Sequence, residues 1–378
     1  MIVESPDAIA DRDALVALSQ VTHIGPVRLG RLRDHFGSLA AAWNAPEARL
    51  RQVLDERSCR AVLIARKQID PSSVTAEIAR SGIEIATVLD DAYPRILREI
   101  PGPPPVLYYR GTLPAQDEPT VAIVGTRRAT PYGREATASI ASDLAAAGVT
   151  IVSGLAKGID GFAHRAAIDA GGRTLAVLAS GVDVIYPPEH RQLAGRIVES
   201  GALVSDYPPG AKPDAPNFPA RNRIISGLSL ATVVVEAPAR SGALITVGFA
   251  ADQGRDVYAV PGSILSPASE GANRLLRQGA TPLTTAAELL EDLRLTPAVA
   301  EEPEQMAFPM SDEERSIYAL VTAEPQHIDE LAYSAGLTIS AASALMTMLE
   351  LKGLVANAGA QHFVATSMRP RARSRRTP

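Results

Sequence analysis

Val121-Ala-Ile-Val-Gly-Thr-Arg-Arg128 opens the middle of the chain with four apolar residues, too few for a helix, stopped by Gly125. Glycine takes backbone angles that a side chain resists, so Val121–Val124 reads as a buried strand that ends in a turn. Pro131-Tyr-Gly then starts an alanine-rich helix to about Ala147, closed by Gly148. A second strand, Thr150–Val152, runs into Ser153-Gly-Leu-Ala-Lys-Gly158 and a helix over Ile159–Ala170, and a later strand, Thr232–Val235, ends at Glu236. Strands alternating with helices predict an α/β fold with an extended, Rossmann-like parallel sheet. Ligands of open parallel sheets bind beyond the carboxyl ends of the strands. The loops after Val124 and Val152, together with Phe218-Pro-Ala-Arg-Asn-Arg223, therefore converge on one crevice.

The residues of these loops suit phosphate. Gly125 aims backbone N–H groups outward, an anion at the following helix start gains from its unpaired N–H groups and dipole, and Arg127 and Arg128 add planar, permanently charged forks. The bland reading, a turn with two solvated arginines, stays open at this stage. Ser153, Gly154 and Lys157 resemble a second anion-binding turn before a helix. Phe218 beside Arg221, Asn222 and Arg223 offers a ring next to two guanidinium groups, the combination that stacks a base while gripping its backbone.

Two familiar nucleotide motifs are missing. A dinucleotide fingerprint needs G-x-G-x-x-G and an acid about 20 residues on, whereas only Gly125 is in place. Gly154-Leu-Ala-Lys-Gly158 has neither the spacing nor the Lys-Ser/Thr of a P-loop. No nicotinamide, flavin or other cofactor is expected. Asp160 and His164 are four apart and share a helical face, where they either serve as metal ligands or an acid–base pair, or cap and orient. No third ligand stands at suitable spacing, so neither a metal nor a catalytic residue is assigned.

These motifs resemble those of the DprA/Smf family, the DNA-processing proteins of bacterial natural transformation. The resemblance runs across most of the chain. It includes Tyr93-Pro94, Pro104-Pro-Val-Leu-Tyr108, Val124-Gly-Thr-Arg127, Ser153-Gly-Leu-Ala156, Gly158-Ile-Asp160, His164, Gly181-Val-Asp183, Tyr186-Pro187, Phe218-Pro219, Arg221-Asn-Arg-Ile-Ile225, Val235-Glu-Ala237, Val260-Pro-Gly262 and Gly271-Ala-Asn273. It implies a Rossmann-like domain that binds single-stranded DNA without strong sequence preference, forms a homodimer and delivers the strand to the RecA recombinase, protecting incoming DNA without acting as an enzyme. Carried over, Gly125, Thr126 and Arg127 line the phosphate pocket, with Ser153, Gly154, Lys157, Arg221 and Arg223 around it and Phe218 as a base contact. The competing reading is an enzyme that acts on a small nucleotide, phosphoribohydrolase-like, through Glu236 or the Asp160–His164 pair. Nucleotide-cleaving relatives of the fold carry P-G-G-x-G-T followed by an acid, whereas Val260-Pro-Gly262 continues into Ser263-Ile264.

Composition suits two or three domains, since 378 residues with 46% hydrophobic content can bury a sizeable core. No apolar run reaches the roughly 18 residues of a membrane span. The first residues lack the order of a signal peptide, and Cys59 stands alone, as suits a reducing cytoplasm. The formal net charge is −5, yet Arg369-Pro-Arg-Ala-Arg-Ser-Arg-Arg376 carries five arginines and no acid. The rest of the chain is more acidic still, so a DNA site on it must be a local patch.

Residues 1–80 read as a small helical domain, in which Val21-Thr-His-Ile-Gly25-Pro26 is either an ordinary helix connection or a helix-hairpin-helix turn that exposes N–H groups to a phosphate. Residues 81–294 make the Rossmann-like domain. A Pro- and Glu-rich linker over 295–308 follows. Residues 309–366 read as a winged helix, with a capping box at Ser311-Asp-Glu-Glu314, helices over Gln326–Ala335 and Thr338–Leu351, and a hairpin within Leu354–Val364. Its third helix has no Arg, Asn or Gln, and Lys352 is its one candidate phosphate contact, so the domain reads as a protein-contact or regulatory module rather than a DNA reader. Residues 367–378 form a basic tail.

Overall fold

The computed structural model describes residues 6–116, 118–295, 310–322, 325–352, 354–359 and 361–365. The basic tail and nearly all of the linker lie outside these residues. The chain divides into two compact units, Met1–Ala300 and Glu301–Pro378.

The first unit begins with six helices, α1 (Pro6–Ser19), α2 (Pro26–Phe36), α3 (Leu39–Asn44), α4 (Glu47–Leu50), α5 (Glu56–Ala65) and α6 (Pro71–Arg80). The last was not legible from apolar spacing; Asp70 caps it by accepting from Ser73 N–H, and Pro71 occupies its first turn. Then come β1 (Glu84–Thr87), α7 (Arg95–Arg98), β2 (Val106–Gly111), β3 (Thr120–Val124), α8 (Pro131–Ala146), β4 (Thr150–Ser153), α9 (Ile159–Asp169) and β5 (Thr174–Val177). The unit continues with α10 (Arg191–Ser200), β6 (Ala202–Ser205), α11 (Asn217–Gly227), β7 (Ala231–Val234), α12 (Ala243–Asp252), β8 (Asp256–Ala259), α13 (Glu270–Arg277), β9 (Thr281–Pro282) and α14 (Ala286–Asp292).

These strands form one nine-stranded sheet in the order β1-β2-β6-β5-β4-β3-β7-β8-β9. Pairing is parallel from β6 to β9, while β2 runs antiparallel to both β1 and β6. Side chains alternate across a strand, and β3 shows the consequence. Val121 and Ile123 pack with Ile140, Leu144 and Ile159 of α8 and α9, whereas Ala122 and Val124 pack with Ile224, Ile225 and Ala243 of α11 and α12. Both faces are therefore covered, which is why the strand is apolar without alternation. Successive strands step one way from β3 to β6 and the other way from β7 to β9. The order reverses between β3 and β7, and that switch point places the crevice. The N-terminal helices share their apolar cluster with Ile85, Val106, Leu178 and Ile197, so they pack continuously onto one end of the sheet.

The second unit contains α15 (Asp312–Tyr318), β10 (Gln326–His327), α16 (Ile328–Ala335), α17 (Ile339–Leu351), β11 (Val355–Gly359) and β12 (His362–Ala365), with the strands ordered β10-β12-β11. Gln326 and His327 are a short strand against His362 and Phe363 rather than the start of a helix. The capping box at Ser311 and Glu314 is formed. Glu314 also holds Lys352, whose Nζ lies 2.7 and 2.8 Å from the two carboxylate oxygens. The one cation read as a phosphate contact at the end of the third helix thus ties α17 to α15.

Candidate nucleic-acid interface

The turn after β3 is shaped by close approach. A Cβ on Gly125 would lie 2.5 Å from the Ile159 side chain and 2.9 Å from the Glu236 carbonyl oxygen, so only glycine fits. Thr126 N–H donates to that same carbonyl at 2.7 Å, which clips the turn to the end of β7. Gly158, at φ 77°, brings the start of α9 against it; a Cβ there would meet Thr126 O at 2.2 Å. Three strand ends are locked together by backbone.

Glu236, one of the candidate catalytic acids, is buried and spent on this scaffold. Its carboxylate accepts from Thr130 N–H at 2.9 Å and from the Thr130 hydroxyl at 2.6 Å, while Thr130 Oγ1 accepts from Gly133 N–H. The anion at the start of α8 is the protein's own. Asp160 plays the same part on α9, accepting from Gly154 N–H at 3.2 Å and Ala156 N–H at 3.3 Å. The second predicted anion-binding turn therefore curls onto an internal carboxylate.

His164 points away from the crevice into the core. The Thr174 hydroxyl gives its proton to Ile151 O, so the 2.7 Å contact between Thr174 Oγ1 and His164 Nδ1 requires Nδ1–H to donate. Nε2 is left buried and without a partner. Burial, with the positive charges nearby, pulls this imidazole down to about 3. At pH above its ordinary value of about 6.5, folded and unfolded chains both keep the ring neutral. As pH falls from there towards 3, the unfolded chain takes up a proton that the folded chain refuses, so stability drops across that window by up to roughly 4 kcal/mol. Urea unfolding of the intact chain and of His164→Gln between pH 7 and 4 tests this. The parent is expected to lose stability more steeply than the variant, and parallel curves would refute the assignment.

The cleft at the switch point has a volume of ≈ 790 Å³ and is lined by Gly125, Thr126, Arg127, Arg128, Phe218, Arg221, Asn222, Arg240 and Ser241, among others. Of the residues expected there, Gly125, Thr126, Arg127, Arg128, Phe218, Arg221 and Asn222 meet in it. Ser153 lies below, buried, its hydroxyl donating to Ile123 O at 2.6 Å. The cations differ in how free they are. Arg221 is buried, with Nη1 donating to Gly154 O at 2.7 Å and to Val177 O. Burial lowers it to about 10, an effect that the Asp160 charge partly offsets. Arg223 is held by Asp206 at 2.7 Å and by Gly102 O at 3.0 Å, and Lys157 pairs with Glu189 at 2.6 Å. Arg127 and Arg128 are exposed and, among the described residues, have neither an ion pair nor a side-chain hydrogen bond.

Phe218 keeps different company from that read in the sequence. Arg221 and Arg223 turn inward on α11, and Arg127 reaches across from the β3 turn instead, its Cζ 5.3 Å from the ring centroid. Tyr186 packs on the ring edge-on at 5.7 Å. Sequence reasoning did not place Arg240 or Tyr186 at the site, although Tyr186-Pro187 is among the motifs that carry the resemblance. Only the fold brings them to the rim.

Sheet order and cleft define a Rossmann-like α/β protein whose ligand groups gather at a topological switch point rather than along a glycine-rich dinucleotide loop. Residues 84–294 match the family model described as DNA recombination-mediator protein A, and residues 301–360 match the DprA winged helix domain. The chain belongs to the DNA recombination-mediator protein A family. It is similar to Protein Smf of Synechocystis sp., with 38% identity covering 90% of this chain and 95% of the relative. It also resembles the crystal structure of DNA processing protein A from Streptococcus pneumoniae, with a TM-score of 0.65 and 33% identity over 74% of this chain and 97% of that one. A further similar structure is DNA processing protein A from Helicobacter pylori, solved for its single-stranded DNA binding mode, with a TM-score of 0.50 and 28% identity over 56% of this chain and 96% of that one. Among the described residues no single helix is long and apolar enough to cross a membrane.

Proposed function

We propose that the chain binds single-stranded DNA in the switch-point cleft, through the phosphate backbone and base stacking rather than base-edge readout. It protects incoming strands, passes them to a RecA-type recombinase during transformation or recombination, and works as a homodimer. The observation that carries this reading is the pairing of Arg127 with Phe218, an unsalted guanidinium over a ring at the mouth of an open cleft. A ring and a cation side by side take any base and any phosphate. The Helicobacter pylori relative, named for single-stranded DNA binding, supports the ligand, and the family description supports the recombination role. The groups an enzyme would use are engaged elsewhere, since Glu236 holds the α8 cap residue Thr130, Asp160 accepts from the loop N–H groups of Gly154 and Ala156, and His164 faces the core.

In the second unit, α17 exposes Ile339, Met348 and Leu351, and its Lys352 is tied to Glu314. These features favour a protein-contact module.

Fluorescence anisotropy of labelled single-stranded and duplex oligonucleotides at several salt concentrations tests the proposal, using the intact chain and a truncation after Ser367. Tight single-strand binding that survives truncation supports the cleft. Binding that disappears with the arginine tail would overturn it and turn attention to a small nucleotide as the cleft's ligand.

A further inference from the structure

Phe162, on the first turn of α9, stands between two arginines. Arg134 Cζ lies 6.0 Å from its ring centroid and Arg165 Cζ 5.7 Å from it. Among the described residues neither guanidinium has an ion pair or a side-chain hydrogen bond. Nearby carboxylates are spoken for. Asp160 accepts from backbone N–H groups, Asp169 holds Arg196 at 2.6 Å, and Glu189 holds Lys157. Glu135, next to Arg134 in sequence, is the remaining acid at this end of α8.

The cluster continues the cleft. Gly158 touches the Arg127 turn so closely that a Cβ on it would lie 2.8 Å from Arg127 Cα. Phe162 N–H donates to Gly158 O at 3.1 Å, and Arg134 N–H donates to Thr130 O at 3.0 Å, so both residues lie one helical turn, roughly 5.4 Å of rise, from that turn.

We propose that Arg134, Phe162 and Arg165 form a second stacking and phosphate-gripping site for single-stranded DNA, outside the cleft and in line with it. The proposal rests on the single-strand reading of the cleft. Bases stack on ring faces and on guanidinium planes alike, and an arginine lying over a ring is held ready while its N–H fork stays free for phosphate. On a chain of formal net charge −5, the guanidinium groups of Arg127, Arg134 and Arg165, none of them in an ion pair among the described residues, are the kind of local positive charge that backbone binding requires.

Oligothymidylates of about 6 and about 20 nucleotides, chosen to fit one site or to run past it, separate this site from the cleft by anisotropy on the full chain. Phe162→Leu, which keeps the apolar packing, and the surface double variant Arg134→Gln/Arg165→Gln are each expected to weaken the longer strand about fivefold or more and to leave the shorter one unchanged. Phe162→Trp is expected to bind both like the parent. If both variants bind the longer strand like the parent while Arg127→Ala loses it, the path ends in the cleft and this proposal is wrong, although the cleft reading stands. Equal losses at both lengths would also overturn it, by making the cluster a support for the cleft. A parent that binds neither strand would overturn both readings. If thermal unfolding shows Phe162→Leu to be misfolded, the double variant alone decides.

Discussion

Arg127→Ala is expected to weaken binding of every single-stranded sequence alike, by about 10- to 100-fold at low salt, as loss of one charged phosphate contact together with its cation–ring packing would do. The logarithm of affinity against the logarithm of salt concentration is expected to flatten by about 0.7, the value for one phosphate on a single strand. The physical reason is that this guanidinium has no competing partner. It is exposed, among the described residues it makes no ion pair, and the Phe218 ring fixes its position 5.3 Å from the centroid. Lys157 shows the contrast. Its ammonium already meets Glu189 at 2.6 Å, so binding a phosphate there must first break an ion pair. Lys157→Ala is therefore expected to cost only about two- to threefold, the scale of an exposed pair. Anisotropy titrations across a salt series on both variants provide the measurement. A loss confined to certain sequences, or a larger effect for Lys157 than for Arg127, would contradict this ranking.

Arg221→Met is expected to act on folding rather than on the ligand. Arg221 lies buried in the cleft floor, where its guanidinium gathers the carbonyls of Gly154 and Val177 at the ends of β4 and β5, close to the buried Asp160. Methionine fills similar volume but leaves those acceptors and a carboxylate without their cation. Removing one member of such a buried set costs roughly 3–5 kcal/mol. A Cβ on Gly154 would stand 2.7 Å from the same guanidinium, so the strand end is packed directly against the group that the substitution removes. Denaturant unfolding is expected to show a much lower midpoint with an unchanged slope. Single-strand affinity, measured where the variant is still folded, is expected to fall far less than in Arg127→Ala. A midpoint equal to the parent's together with lost DNA binding would make Arg221 a direct ligand, as its place in the Arg221-Asn-Arg223 motif first suggests.

The main strand and its turn were legible because their signals are local. Val121–Val124 is apolar without alternation since both its faces are covered, and Gly125 marks a place where two other chain segments press against the backbone. Pro131 and Gly148 bracket α8 to within a residue or two, as capping residues do. The winged unit was readable for the same reason, with Ser311 and Glu314 three apart in a capping box. Short elements were not. Four-residue α4 and α7 and two-residue β10 have too little periodicity to register, and tertiary pairing makes them.

Sequence by itself determined which residue types gather at the cleft, since strand ends and glycine turns are written in short, contiguous runs, and a parallel sheet sends its strand ends to one side. It also carried the resemblance to a DNA-processing family. What only the tertiary structure decided is which of those charges are free. Arg127, Arg221 and Arg223 look alike as letters, yet one lies open over Phe218, one is buried among carbonyls, and one is held by Asp206. Their partners come from Gly154, Val177, Gly102 and Asp206, brought there by the sheet order. Whether a charge binds a ligand or the fold depends on what stands within about 3 Å of it, and that distance is set by contacts between residues far apart in the chain.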